Sequence, residues 1–284
     1  MATPRGEFKS RLGFLFAAAG SAVGLGNIWG FPTQAASNGG AAFLITYLAM
    51  AFVLAYPVLM AELLIGRHTH QNMVTALSSL PRRNFWRKIG ALTGIGGLIT
   101  ASLILSFYGI VSGWMLGFAA SYPLDAAGLS QQAQWLTGFG VSRNLLLMIL
   151  FMALTMGVVL GGVEKGIERW SRRLMPLLIV TLISLALYVL TLEGAVTGLK
   201  VYLLPDFSKV LSGELLLDAL GSAFFSLSLG VGTMLIYGSY LSDKVHVPSI
   251  GAQVALLDVG IAVLAGFLIL PAMYVADARG VAIF

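Results

Sequence analysis

Apolar residues fill seven stretches of the chain, near 12–36, 41–66, 91–121, 144–162, 171–192, 214–240 and 249–276. A helix needs about 20 apolar residues to cross a bilayer at about 1.5 Å per residue, and each stretch approaches or exceeds that length. The third is long enough to tilt strongly or to protrude. Polar breaks separate the stretches, among them RHTHQNMVTALSSLPRRNFWRK, YPLDAAGLSQQAQ, GGVEKGIERWSRR and SDKVHVPS. The pattern predicts an all-α integral membrane protein that forms a single transmembrane domain over 1–284. Pro57, Pro176 and Pro271 fall inside apolar stretches and are expected to kink them.

Two stretches are interrupted from within. Residues 20–32, GSAVGLGNIWGFP, place four glycines, an asparagine and a proline inside the first span. Glycine costs a helix about 1 kcal/mol relative to alanine and an interior proline about 3, so this span is expected to break midway. Broken backbone at membrane depth survives where it is buried in protein or lines a water-filled cavity. Two readings follow: a binding site, or close helix packing through small residues four apart such as Gly20/Gly24 and Gly26/Gly30. The sixth span repeats the feature in FFSLSLGVG, where Ser226, Ser228, Gly230 and Gly232 crowd together. Paired interruptions at matching positions of two halves point to an inverted-repeat transporter with a site at the bilayer midplane. Spans 1 and 6 are five apart, which gives a first five-helix repeat over about 12–192 and the start of a second over about 214–284. Two facing breaks offer carbonyls to Na⁺ and amides to a carboxylate, and this favours binding over packing.

Charge inside a span is expensive, about 2.5 to 3.5 kcal/mol at a helix centre on insertion scales. Asp258 lies well inside span 7 with no basic residue nearby in sequence; a bound cation is its expected partner, and a protonated or capping aspartate is the alternative. Glu62, near the end of span 2, is expected to bond broken backbone or a local partner rather than a ligand. Tyr108 in span 3 offers a hydroxyl on an aromatic body, as a core residue or a pocket wall.

Composition narrows the classes. The chain of 284 residues is 58% hydrophobic and 10% charged, with no cysteine, which excludes an ordinary soluble domain, a disulfide framework and a thiol nucleophile. His68 and His70 read as interface residues beside Arg67 rather than metal ligands. Residues 81–88, four of them basic and beside Phe85 and Trp86, are expected to lie along the membrane surface. Thirteen of the 17 basic residues fall before span 1 or between spans 2 and 3, 4 and 5, and 6 and 7. By the positive-inside rule the N-terminus is cytoplasmic and, after seven crossings, the C-terminus of this chain external. The net charge of +5 is therefore a topology signal and implies no nucleic acid. GLGNIWG lacks the strand and spacing of a dinucleotide fingerprint, GGVEKG lacks the P-loop ending, and no GxSxG or HExxH pattern occurs, so the chain is read as a non-enzyme.

The stretches RLGFLFAAAGSAVGLGNIWGFP, NGGAAFLITY, AELLIGR, the Tyr108 region, AFFSLSLGVG and ALLDVGIAVLAGFLILP together resemble the neurotransmitter:sodium symporter family, over essentially the whole chain but only the first seven of the family's twelve or so helices. The resemblance implies a bacterial-type, sodium-coupled symporter of a small apolar amino acid, with discontinuous helices 1 and 6, working by alternating access in the cell membrane. It implies a first sodium site at the Ala22 carbonyl, the Asn27 side chain, Ser226 (where threonine is common) and Asp258 (where asparagine is common), closed by the substrate carboxylate. The carbonyls of Gly20 and Val23 would contribute to a second sodium site whose other ligands lie on an eighth helix. The carboxylate would meet the amides of Leu25 and Gly26 and the Tyr108 hydroxyl. The ammonium would meet the carbonyls of Ala22, Phe225 and Ser226 and the Ser228 hydroxyl, with Ile104, Phe225 and Val231 lining the side-chain pocket.

Departures from the family pattern fall at the gates. Gly30 stands where arginine is usual, and Ser222 replaces a glutamine. On the inner side Arg5 and Tyr240 match the gating pattern, but Phe8 replaces tryptophan. Asp258 supplies a negative charge beside the first sodium, so chloride is expected not to be required. A second expectation is that these residues form a truncated, non-transporting portion of such a transporter.

Overall fold

The computed structural model describes residues 7–204 and 212–280. The described residues are helical, with α1 (Arg11–Ala22), α2 (Phe31–Ser37), α3 (Ala41–Met50), α4 (Tyr56–Thr69), α5 (Met73–Ser79), α6 (Asn84–Ala126), α7 (Ser130–Thr137), α8 (Val141–Leu160), α9 (Arg169–Leu190), α10 (Ala195–Leu203), α11 (Gly213–Ser226), α12 (Thr233–Gly238) and α13 (Val247–Ala278). Wider π-helical turns join α1 to α2 at Gly26–Gly30, α3 to α4 at Ala51–Ala55 and α8 to α9 at Val163–Glu168.

Five of the expected spans are unbroken helices long and apolar enough to cross a membrane, and the first is a bent pair with 58° between Arg11–Ala22 and Gly26–Ser37. The remaining expected span, near 214–240, is divided into Gly213–Ser226 and Thr233–Gly238, helices of 14 and 6 residues, each too short to cross alone. Both interruptions therefore fall where the glycine and serine clusters predict them. Helix α6 has 43 residues, about 65 Å at 1.5 Å each, well beyond the length a crossing needs. It begins at Asn84, so residues 84–88 of the basic stretch form its first turn. Phe85 and Trp86, both exposed, occupy its first turn. Pro57 lies inside the continuous helix Ala41–Thr69, directly after the π-helical turn Ala51–Ala55; Pro176 and Pro271 lie inside α9 and α13.

Helix α13 is the axis of the bundle. It packs against α1, α2, α4, α9 and α10 and buries residues all around its circumference, from Val247 and Ile250 through Asp258 to Leu270 and Val275. That is why its apolar pattern is nearly uniform rather than one-sided. Helices α6, α8 and α9 instead turn leucine, isoleucine and valine outward, including Leu98, Leu103, Ile149, Leu177 and Val180, as lipid-facing helices do.

Helices α4 and α12 approach most closely at two glycines. A methyl group on Gly66 would run into the Leu235 carbonyl, with the Leu235 carbon and the Ser239 nitrogen each 2.9 Å away, and one on Gly238 would lie 2.9 Å from the Leu63 Cα. Packing of small residues supplies helix association in lipid, where the hydrophobic effect between helices is absent.

Candidate functional site

The first break arises at Val23, whose extended backbone (φ −70°, ψ 114°) ends α1. After it the Gly24 N–H donates to the Asn27 side-chain oxygen at 3.0 Å. The second break occupies 227–232, where Ser228, Gly230 and Gly232 take left-handed φ of 54°, 82° and 76°. Two of these suit glycine. Ser228 is held in that region while its hydroxyl donates to the Ser21 carbonyl at 3.1 Å, so the two breaks are tied to each other.

Glu62 fastens the second break from α4. One carboxylate oxygen accepts the Gly230 N–H at 2.7 Å and the other the Leu235 N–H at 3.3 Å, as the sequence reading of a carboxylate bonded to broken backbone expects. Glu62→Ala removes both acceptors and is expected to destabilise the protein by about 1–3 kcal/mol, the range for hydrogen bonds to a charged group. Glu62→Gln keeps one acceptor oxygen, and its loss should be smaller; apparent melting midpoints of the two variants in one detergent check the order.

Behind the breaks lies a buried polar cluster. Asn27 and Asp258 are fully buried and Ser226 nearly so. The Asn27 side-chain amide donates to Ser226 Oγ at 2.8 Å, to Asp258 Oδ1 at 2.8 Å and to the Asp258 carbonyl at 3.1 Å. Ser226 Oγ donates to Asp258 Oδ2 at 2.7 Å. Three helices thus bring an amide, a hydroxyl and a carboxylate together, a set of hard oxygen donors suited to a hard cation. The buried Tyr47 hydroxyl bears on the same cluster, facing Ser226 and Asp258. Sequence reasoning missed it, since a tyrosine in an apolar run carries no distinguishing signal.

In front of the cluster is a cavity of about 570 Å³ whose wall includes Gly20, Ala22, Val23, Gly26, Ile104, Tyr108, Phe225, Ser228 and Val231. A second cavity of about 450 Å³ lies beside it, lined by Leu25, Trp29, Gly30, Asp218 and Ser222 among others. Gly26, Tyr108 and Phe225 line both and so form the partition. At that partition the backbone amides of Leu25 and Gly26 bear on the Tyr108 hydroxyl, and a methyl group on Gly26 would meet the Phe225 ring at 2.9 Å. Ser226 is placed in the buried cluster, behind the wall rather than on it. Gly20 and Val23 also line a groove of about 480 Å³ against α9, with Ser171 and Met175.

Asp218 escaped the sequence reading although it is a charge within an apolar run, the signal that singled out Asp258. It accepts from the Asn38 amide at 3.2 Å. A substituent on Gly30 would find only the Leu25 carbonyl, at 3.7 Å, so the second cavity has room where the family carries arginine. At the opposite end Phe8 stacks with Tyr237 at 6.2 Å and meets Phe14 at 5.2 Å and Tyr240 at 6.4 Å edge-on; its N–H reaches the Tyr240 carbonyl at 3.4 Å. Arg5, the expected gating partner, lies outside the described residues. His70 caps α4 with its Nδ1 2.9 Å from the Ser239 carbonyl, and among the described residues no group of three His, Asp or Glu side chains could hold a metal.

Comparison with known proteins places this geometry. The profile of the sodium:neurotransmitter symporter family matches residues 5–137 and 122–284. The chain is 40% identical over 273 residues to the uncharacterized sodium-dependent transporter YhdH of Bacillus subtilis (strain 168), a match that covers 94% of this chain and 59% of that protein. It is 28% identical over 329 residues to the human sodium- and chloride-dependent GABA transporter 2, covering 98% of this chain and 52% of the relative. Among solved structures, that of MhsT in complex with L-phenylalanine superimposes with a TM-score of 0.82 at 38% identity, over 95% of this chain and 62% of MhsT. The chain thus spans about six-tenths of the length of its bacterial relatives. With a matching family profile along nearly all its length and the inverted-repeat transporter fold with its discontinuous first and sixth helices, this multi-pass membrane protein belongs to the sodium:neurotransmitter symporter family.

Proposed function

We propose that this chain carries the substrate site and the first sodium site of a sodium-coupled symporter for a small apolar amino acid in the cell membrane. The observation that carries the reading is the hydrogen-bonded cluster of Asn27, Ser226 and Asp258 directly behind a cavity bordered by both helix breaks. Sodium would replace the Asn27 amide protons as the partner of the Asp258 carboxylate and draw on the Ala22 carbonyl. The substrate carboxylate would bridge the ion to the Leu25 and Gly26 amides and the Tyr108 hydroxyl, and Ser228 and nearby carbonyls would take the ammonium. Ile104, Phe225 and Val231 leave an apolar wall for the side chain. Because ion and carboxylate share one shell, each lowers the cost of burying the other; the membrane potential adds about 2.3 kcal/mol per charge per 100 mV.

Asp258 balances the sodium charge locally, so replacing chloride with gluconate is expected to leave sodium-dependent binding of a labelled apolar amino acid unchanged. Binding abolished in gluconate would contradict that role. The basic residues assign the N-terminus to the cytoplasm and residue 280 to the outside, which cysteine labelling from either face would test. A second reading, binding without transport, is favoured by the outer cavity, where Gly30 and Ser222 stand in place of the family's gating residues. Sodium-dependent uptake into proteoliposomes supports the first reading; binding with no uptake supports the second.

A further inference from the structure

On the side of the bundle where the basic residues gather, the segment before α1 crosses the π-helical turn ahead of α9 and encloses a cavity of about 510 Å³. All the side chains around it are charged. Two are acids, and both are occupied within the protein. Glu168 is buried; one oxygen accepts the Lys9 N–H at 3.0 Å and the other the Ser10 hydroxyl at 2.8 Å, and Ser10 in turn caps α1. Glu164 pairs with the Lys9 ammonium, and that hydrogen bond holds Lys9 above the usual lysine range. Lys165, Arg169, Arg172 and Arg173 remain. They recur at near-helical spacing, which puts them on one side of the turn and of α9, and none has a carboxylate partner among the described residues. Four cations therefore converge on one concavity, where Glu164 is ion-paired and Glu168, held by neutral donors, leaves a single uncompensated carboxylate against them.

The depth of this cavity is fixed by its neighbours on α9. Trp170 is exposed beside it, and Leu174, Leu177 and Val180 are exposed beyond. An exposed tryptophan followed by an apolar lipid-facing row marks the membrane–water boundary, so the cavity opens at headgroup level. Arginine is the side chain best matched to phosphate oxygens, through paired N–H donors in a planar fork. Basic pockets between membrane helices are recognised by lipid headgroups of the same chemistry.

We infer that the cavity formed by Lys165, Arg169, Arg172 and Arg173 is a binding site for a phosphate group, presented by an anionic lipid headgroup or by free phosphate. The site is separate from the substrate cavity, and its test does not depend on transport. The chain is reconstituted in nanodiscs of phosphatidylcholine alone, or of equal parts phosphatidylcholine and phosphatidylglycerol, and retained lipid is counted by native mass spectrometry after release. A parallel arm titrates inorganic phosphate into the phosphatidylcholine sample. Retained phosphatidylglycerol that phosphate does not displace assigns the lipid source, whereas saturable binding of phosphate itself assigns the free anion; either upholds the site. The variant R169Q/R172Q/R173Q is expected to weaken that binding at least about tenfold, R169K/R172K/R173K to keep most of it, and R82Q/R83Q/K88Q to leave it unchanged. Equal retention by wild type and R169Q/R172Q/R173Q, equal loss in R82Q/R83Q/K88Q, or wild type that holds neither phosphatidylglycerol nor phosphate would overturn the inference.

Discussion

Asp258→Ala is expected to raise the sodium concentration needed for half-maximal amino-acid binding by roughly a hundredfold, since losing one partner of a buried charged pair costs about 2–5 kcal/mol and each 1.4 kcal/mol is tenfold. The aspartate is fully buried, and its hydrogen bonds come from one amide and one hydroxyl. Neither of these neutral groups balances its charge, so sodium would be its natural counter-ion. Asp258→Asn keeps the shape and most of the hydrogen bonding, and a smaller loss of about tenfold is expected, together with stimulation by chloride that the parent lacks. Stability separates this account from a structural role. At one sodium concentration the ion should raise the melting midpoint of the parent by mass action, raise that of Asp258→Asn less, and leave that of Asp258→Ala nearly unmoved. A sodium-induced rise preserved in Asp258→Ala would place the ion elsewhere.

The largest expected effect on the scaffold comes from Gly66→Ala. The added methyl would press on the Leu235 carbonyl across the α4–α12 crossing, a backbone contact with no flexible side chain to yield, and overpacking of this kind costs about 1–3 kcal/mol or more. The consequence reaches the site, because Glu62 lies one turn before Gly66 and holds the second break through the Gly230 and Leu235 amides. Moving α12 outward lengthens those bonds and shifts the turn that carries Ser228. We expect a lower melting midpoint and substrate affinity reduced about tenfold. Gly96→Ala on α6 is the control: nothing lies within 4 Å of that methyl, and exchanging glycine for alanine in an exposed helix should stabilise by up to about 1 kcal/mol. Equal midpoints for the two variants would refute the crossing argument.

Much of this arrangement is legible in the amino-acid sequence because membranes leave few options. Glycines at 24 and 26 and at 230 and 232 weaken helices that lipid would otherwise enforce, and the structure breaks at both places. Asp258 stands out by its cost, and Glu62 serves broken backbone, one of the two roles expected from its place near the end of span 2. What stayed hidden depends on three-dimensional contact. The π-helical turns at Gly26–Gly30 and Ala51–Ala55 have no composition of their own. Arg143 reads as a loop charge, yet it is buried, donates to Asn144 Oδ1 at 2.9 Å and to the Leu136 carbonyl, and ties α7 to α8. Glu168 reads as one charge in a mixed loop, and only the fold sets it under Lys9 and Ser10. That residues 84–88 belong to α6 was equally hidden, since the basic stretch carries no signal for where the helix starts.

The central claim is that sodium and the amino acid share one site built from both helix breaks and Asp258. It is tested by titrating a labelled apolar amino acid against the purified chain at several sodium concentrations, then sodium against the chain at several amino-acid concentrations. Shared coordination predicts that each ligand tightens the other by the same factor, as reciprocity of coupling free energies requires, and that the factor collapses towards one in Asp258→Ala. Amino-acid binding that is indifferent to sodium, or a coupling factor unchanged in Asp258→Ala, would contradict the account.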